Sequence, residues 1–110
     1  MRIAVLLKSN PYTEEAERAL QIISDMLASG HNVTLYLLQD AVRLCQPRTG
    51  NARSTQLEAL IEKGLKVFAL SNDAKLRGID MPSINAKIQE GSYDGLVELM
   101  DSCDQVVGIL

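Results

Sequence analysis

Near the start of the chain stands Ile3-Ala4-Val5-Leu6-Leu7, five apolar residues in a row. A strand with one wet face alternates apolar and polar side chains, so an unbroken run predicts a strand covered on both faces, as in a parallel sheet. Parallel strands need long crossover connections, and the next residues supply one. Ala16, Ala19, Leu20, Ile23, Met26 and Leu27 recur at three- and four-residue spacing, with Glu15, Glu17, Arg18, Gln21 and Asp25 on the other side. That is an amphipathic helix. Asn10 before Pro11, or Thr13 before Glu14 and Glu15, can open it, and Gly30 offers the left-handed residue that closes it. Val33-Thr34-Leu35-Tyr36-Leu37-Leu38 then reads as a second strand and completes a βαβ unit.

The alternation continues. Residues 39–50 are irregular, with room for a helical turn around Ala41–Cys45 before Pro47. Thr55-Gln56-Leu57-Glu58 has the spacing of a capping box and predicts a helix carrying Leu57, Leu60 and Ile61, closed by Gly64. Leu65 to Leu70 reads as a third strand. Ser71, Asn72 and Asp73 are candidate caps for a short helix through Leu76, stopped at Gly78. A short strand is expected near Ala86–Gln89, a helix over Tyr93–Cys103 with Leu96, Val97, Met100 and Cys103 on one stripe, and a last strand over Gln105–Leu110. Cys103, on that stripe, reads as a small core hydrophobe. The whole predicts a single α/β domain over residues 1–110, a three-layer sandwich around a mostly parallel sheet.

Composition narrows the function. The 110 residues are 46% hydrophobic and 23% charged, a folded rather than a disordered mix. No apolar stretch approaches the ~20 residues of a membrane helix, and no small-residue cleavage site follows the first strand, so no membrane span is expected and the cytoplasm is the expected compartment. With a net charge of −3 and no basic block, nucleic acid is not an expected partner. Cys45 and Cys103 form no Cys-x-x-Cys pair and His31 is the only histidine, so no metal site or disulfide framework is signalled. After the first strand comes Lys8-Ser9-Asn10-Pro11-Tyr12-Thr13, neither a Gly-x-Gly-x-x-Gly turn nor a Walker loop, and no cofactor is expected. His31 precedes the second strand, at the amino end of the sheet, where its expected role is capping the turn after Gly30 rather than serving a catalytic triad.

Ligands of such sheets settle where loops leave the carboxyl ends of the strands. Those loops are Lys8–Thr13, Gln39–Arg53 and Ser71–Gly78. They hold six of the eleven basic residues, Lys8, Arg43, Arg48, Arg53, Lys75 and Arg77, against only Asp40 and Asp73. Helix N-termini converge on the same edge and add free N–H groups. The expectation is a cationic pocket for a small anion, lined by Lys8, Ser9, Asn10, Gln39, Asp40, Arg43, Leu70, Ser71, Asn72 and Arg77. The same charges would also suit solvent or a neighbouring subunit. Cys45 is the candidate nucleophile, because Arg43 and Arg48 beside it would lower a thiol's pKa. Its other reading is as an extension of the apolar positions Ala41, Val42 and Leu44 into the core.

Several short segments in order carry a family resemblance: Met1-Arg2-Ile3-Ala4-Val5-Leu6-Leu7, Gly30-His31-Asn32-Val33, Asp40-Ala41-Val42, Leu76-Arg77-Gly78-Ile79, Gln89-Glu90-Gly91 and Cys103-Asp104-Gln105-Val106-Val107. With these the chain resembles the DsrE/DsrF family of small sulfur-relay proteins, including its TusD-like sulfurtransferase subunits. The resemblance implies a five-stranded α/β sandwich that assembles into trimers or hexamers. It also implies a cysteine at the end of the third strand, seven residues before the Arg of Arg-Gly, that accepts persulfide sulfur. Here that position is Leu70, and the alternative family position three residues on is Asp73. A leucine cannot form a thiolate. Two functions follow as expectations: a catalytically silent, oligomeric binding or accessory subunit whose cationic pocket takes a small anion or a sulfur-relay protein, or a persulfide carrier whose thiol has moved to Cys45. Independently of the resemblance, the apolar Leu65–Leu70 and Val106–Leu110 runs leave surface that a second subunit would cover.

Overall fold

The run from Ile3 to Leu7 lies inside the sheet. The computed structural model describes residues 1–46, 52–79 and 87–109. β1 (Arg2–Leu7) pairs on one side with β2 (Asn32–Leu37), from Arg2 opposite Asn32 to Leu7 opposite Leu37. On its other side it pairs with β5 (Gln105–Ile109), from Ile3 opposite Gln105. β3 (Lys66–Leu70) joins β2, and β4 (Gln89–Gly91) joins β3, giving five parallel strands in the order β4-β3-β2-β1-β5.

This order explains the layers. β1, β2, β3 and β4 step across the sheet in one direction, so right-handed crossovers place α1 (Glu14–Ala28) and α2 (Ala52–Glu62) on one face. The last connection runs back from one edge to the other, which puts α4 (Tyr93–Ser102) on the opposite face. Side chains alternate accordingly. Ile3, Val5, Leu7, Val33, Leu35, Leu37 and Val67 form one core cluster with Ala16, Ala19, Leu20 and Ile23 of α1. The other set, Ala4, Thr34, Tyr36 and Leu70, is buried on the face that α4 crosses. There the Tyr36 ring stacks on Phe68, and the Tyr36 hydroxyl donates to the carbonyl of Ser92 at 2.7 Å, just before α4.

Of the two candidate openers of α1, Thr13 is the cap: its Oγ1 accepts from the Ala16 amide at 3.3 Å and donates to the Asn10 carbonyl at 2.8 Å. Gly30, at φ +86°, turns the chain after the helix.

Four local expectations need correction. α2 starts at Ala52, so Thr55 lies within the helix rather than at its head. Arg53, in the first turn of α2, donates through Nε to the Pro11 carbonyl at 3.2 Å, and this tertiary tie outweighs a local cap signal. α3 (Ser71–Leu76) springs directly from β3 and has no side-chain cap, because its cap position is Leu70, which has no polar group, while Ser71, Asn72 and Asp73 all fall within the helix. β4 covers Gln89–Gly91, sharing only Gln89 with the expected strand, whose first residue lies outside the described residues. Finally, α4 buries none of its residues: Val97 and Met100 are exposed, and Cys103 is a half-buried C-cap. An apolar stripe at helical spacing marks a contact face without saying what covers it. No helix among the described residues is long and apolar enough to cross a membrane.

Candidate functional site at the carboxyl edge

The expected edge exists, and its parts are held by short polar contacts. Where β2 ends, the chain enters a 3-10 helix (Gln39–Cys45) through Gln39, whose φ of +49° is unusual for a residue with a side chain. The Asp73 carboxylate accepts from the Gln39 amide at 2.7 Å and fixes this turn. Asp73 is itself buried, so its charge is spent on the backbone of the neighbouring loop. At the C-cap of α3, Arg77 donates through Nε to Asp40 at 2.7 Å and through a terminal nitrogen to the Asp73 carbonyl at 3.2 Å. Arg43 approaches the same Asp40 oxygen at 4.0 Å. The loops after β2 and β3 are thereby locked together.

The electrostatics are more balanced than loop composition implied. Arg43 and Arg77 share Asp40, and Arg53 turns toward α1, pairing with Glu17 at 3.4 Å. Lys8 and Lys75 make no salt bridge among the described residues, so residual positive charge stays on the edge. Arg48 lies outside the described residues. Asn10 folds its side chain onto the Tyr12 amide at 3.0 Å, which makes it a turn residue. Lys8, Ser9, Asp40 and Ser71 are half-buried, Gln39, Arg43 and Asn72 exposed, and Leu70 is 1% exposed.

The Arg77 guanidinium, by its hydrogen bond first, holds the Asp40 carboxyl below the usual carboxylate range. A depressed carboxyl pKa favours the folded state above the unfolded pKa of about 4, and the contribution disappears as pH falls through the lower folded value. Arg77→Met is expected to return the Asp40 titration toward the ordinary range and to remove this acid-side contribution. Carboxyl titration by NMR measures the shift, and an unchanged Asp40 in the variant would contradict the pairing.

Cys45 takes the core position, the second of its two readings, and not the nucleophile's. Its side chain is 0% exposed in the core cluster under α1 and α2, and Sγ donates to the Val42 carbonyl at 2.7 Å. Burial pushes the thiol up to about 11, the reverse of the lowering expected from nearby arginines. Arg43 is two residues away in sequence but half-exposed and turned to Asp40. Leu70 shares its sheet face with Tyr36 and Phe68, whereas Cys45 packs with the opposite core.

Loop reasoning overlooked a cleft of about 460 Å³ between α4 and the β2–β3–β4 side of the sheet, bordered by Tyr36, Phe68, Glu90, Glu98, Leu99 and Ser102. None of the ten expected edge residues lines it. The available signal was the pair Gly91 and Gly95 around the helix start at Ser92, small residues where a chain passes over a large ring. Among the described residues no cluster of three or more His, Cys, Asp or Glu could hold a metal ion.

A family model described as DsrH like protein matches residues 10–106. The chain belongs to the DsrH-like family. This family is related to sulfur relay in general, and the match agrees with the resemblance at that level. A search of curated proteins returns no match. Among solved structures, the ychN protein of E. coli is 23% identical, with a TM-score of 0.85 over 98% of each chain. MTH1491 of Methanobacterium thermoautotrophicum, a protein of unknown function, is 13% identical, with a TM-score of 0.81 over 97% of each chain. BT1422 of Bacteroides thetaiotaomicron, also of unknown function, is 13% identical, with a TM-score of 0.75 over 98% of this chain and 94% of the other. At these identities the likeness establishes the fold, the expected five-stranded α/β sandwich.

Proposed function

We propose that this DsrH-like chain is a non-catalytic, oligomeric accessory subunit of cytoplasmic sulfur relay, related to the TusD-like proteins, that docks a small anion or a relay protein at its carboxyl edge. The observation that carries this reading is the state of the thiols. The third strand ends in a buried leucine, and the thiol that could replace a missing cysteine sits in the core with its pKa pushed up to about 11. A sulfur acceptor needs an accessible thiolate. Support for assembly comes from the bare side of α4 and β5, where Tyr93 is 54% and Val97 57% exposed and Met100 and Val106 are also open. A trimer or hexamer would cover them.

The test is sulfur loading. After incubation with inorganic polysulfide, intact-protein and peptide mass spectrometry are expected to find no persulfide on Cys45 and no transfer to an acceptor thiol. Transfer that is lost in Cys45→Ser would overturn the accessory role. For the anion, thiosulfate or sulfate at ~100-fold above its Kd should stabilise the fold by about 3 kcal/mol through mass action, and Arg77→Met should reduce the gain. Sedimentation at micromolar concentration is expected to give a trimer or hexamer, and a clean monomer would count against the assembly.

A further inference from the structure

The cleft under α4 differs in chemistry from the carboxyl edge. Its volume of about 460 Å³ falls within the range of small-molecule sites. The floor is aromatic: the Tyr36 and Phe68 rings are stacked with centroids 5.5 Å apart and planes within 10°. Tyr36 is nearly sealed, so the half-buried Phe68 ring is the part a ligand would touch, with Leu99 of α4 facing it across the cleft. Glu90 stands on the β4 side and Glu98 on the α4 side. No basic residue lines the cleft, and neither carboxylate is in a salt bridge among the described residues.

The remaining polar groups point the same way, because most of their protons are already committed. The Tyr36 hydroxyl donates to the Ser92 carbonyl, and the Ser102 hydroxyl donates to the Leu99 carbonyl at 3.0 Å. What both oxygens can still offer a ligand is lone pairs. Ser92 Oγ accepts from the Gly95 amide at 3.0 Å and alone keeps a hydroxyl proton to give. A cleft with two carboxylates, two acceptor oxygens and an aromatic floor selects N–H donors carrying positive charge on a flat apolar body, and repels anions.

We propose that this cleft is a binding site for a small organic cation, an ammonium or guanidinium group attached to an aromatic or similarly flat apolar body. It is separate from the anion-binding edge, and the two have opposite charge preference.

The experiment is an NMR titration of the full chain with three probes of one shape: phenethylammonium, neutral 2-phenylethanol and anionic phenylacetate. The ammonium is expected to shift the Gly91, Gly95 and Leu99 amides and to bind about tenfold more tightly than the alcohol, with phenylacetate silent at these positions. Glu98→Gln and Glu90→Gln, both surface substitutions, should each weaken the ammonium about three- to tenfold and leave the alcohol unchanged. Equal affinity for the three probes, or no shift at the cleft, would overturn the proposal. So would cleft signals that move with protein concentration and not with the amine, since a second copy would then be the occupant. The thiosulfate response at the other edge is read separately, so failure of either site leaves the other to its own result.

Discussion

Gly91→Ala is expected to lower the stability of the fold by about 2–4 kcal/mol, a large effect for one methyl group on an edge strand. A Cβ at Gly91 would fall on the Tyr36 hydroxyl oxygen and lie 2.6 Å from its Cζ, closer than atoms can pack. Tyr36 has little room to yield: it is 2% exposed, stacked on Phe68, and tied through its hydroxyl to Ser92. β4 must therefore lift, at the expense of its pairing between Gly91 and Leu70 and the start of α4. Gly95→Ala is the control. There the Cβ would meet Ser92 Oγ at 3.2 Å, a tight contact, and the better helix propensity of alanine offsets it by about 1 kcal/mol, so the net change should stay within about 1 kcal/mol. Urea denaturation of both variants, repeated in a Tyr36→Leu background, forms a double-mutant cycle. If the clash is the cause, the Gly91→Ala penalty shrinks to below about 1 kcal/mol once the phenol is gone. A Gly91→Ala protein as stable as the parent would mean that the ring and strand are not packed this way.

The same contact marks the boundary of what the sequence disclosed. β1, β2 and β3 were legible because a run with apolar residues on both faces has few structures available to it, and α1 because its apolar stripe is framed by Thr13 and Gly30. That these loops meet at the carboxyl edge follows from parallel pairing alone, and there Gln39 bonds Asp73 and Arg77 bonds Asp40. What could not be read was which polar groups would satisfy one another. Asp73 bonds a backbone amide 34 positions away, and Tyr36 a carbonyl 56 positions away. Neither partner leaves a local pattern. The apolar stripe of α4 was visible, but spacing cannot distinguish a face turned to the sheet from one turned outward, and Val97 and Met100 point outward. Of the two readings of Cys45 the core one holds, and the nucleophile reading fails for a physical reason. Charge proximity was inferred from sequence distance, whereas desolvation depends on depth, and at this depth desolvation is the larger effect.

That comparison of effects yields the second large prediction. In the native protein at neutral pH, Cys103 is expected to react with a disulfide reagent such as DTNB while Cys45 reacts at least ~100-fold more slowly. Raising a thiol from 9.0 to about 11 removes about two powers of ten of thiolate at any pH well below both values. Full burial adds a second barrier, since the reagent reaches Sγ only after the chain opens. Labelling of Cys45 should accelerate with urea along the unfolding curve, while that of Cys103 should hardly respond. The sign of the pH effect follows from the same shift. A thiol whose folded pKa is raised contributes stability in full below the unfolded thiol value, and the contribution is lost as pH rises from there through about 11. Its size is on the order of 2 kcal/mol, and Cys45→Ala should abolish this alkaline loss while weakening the core by about 1–2 kcal/mol at neutral pH. Native-state labelling of Cys45 as fast as Cys103 would place a competent thiolate in the loop at the carboxyl edge, and with it the premise that separates an accessory subunit from a sulfur carrier would fail.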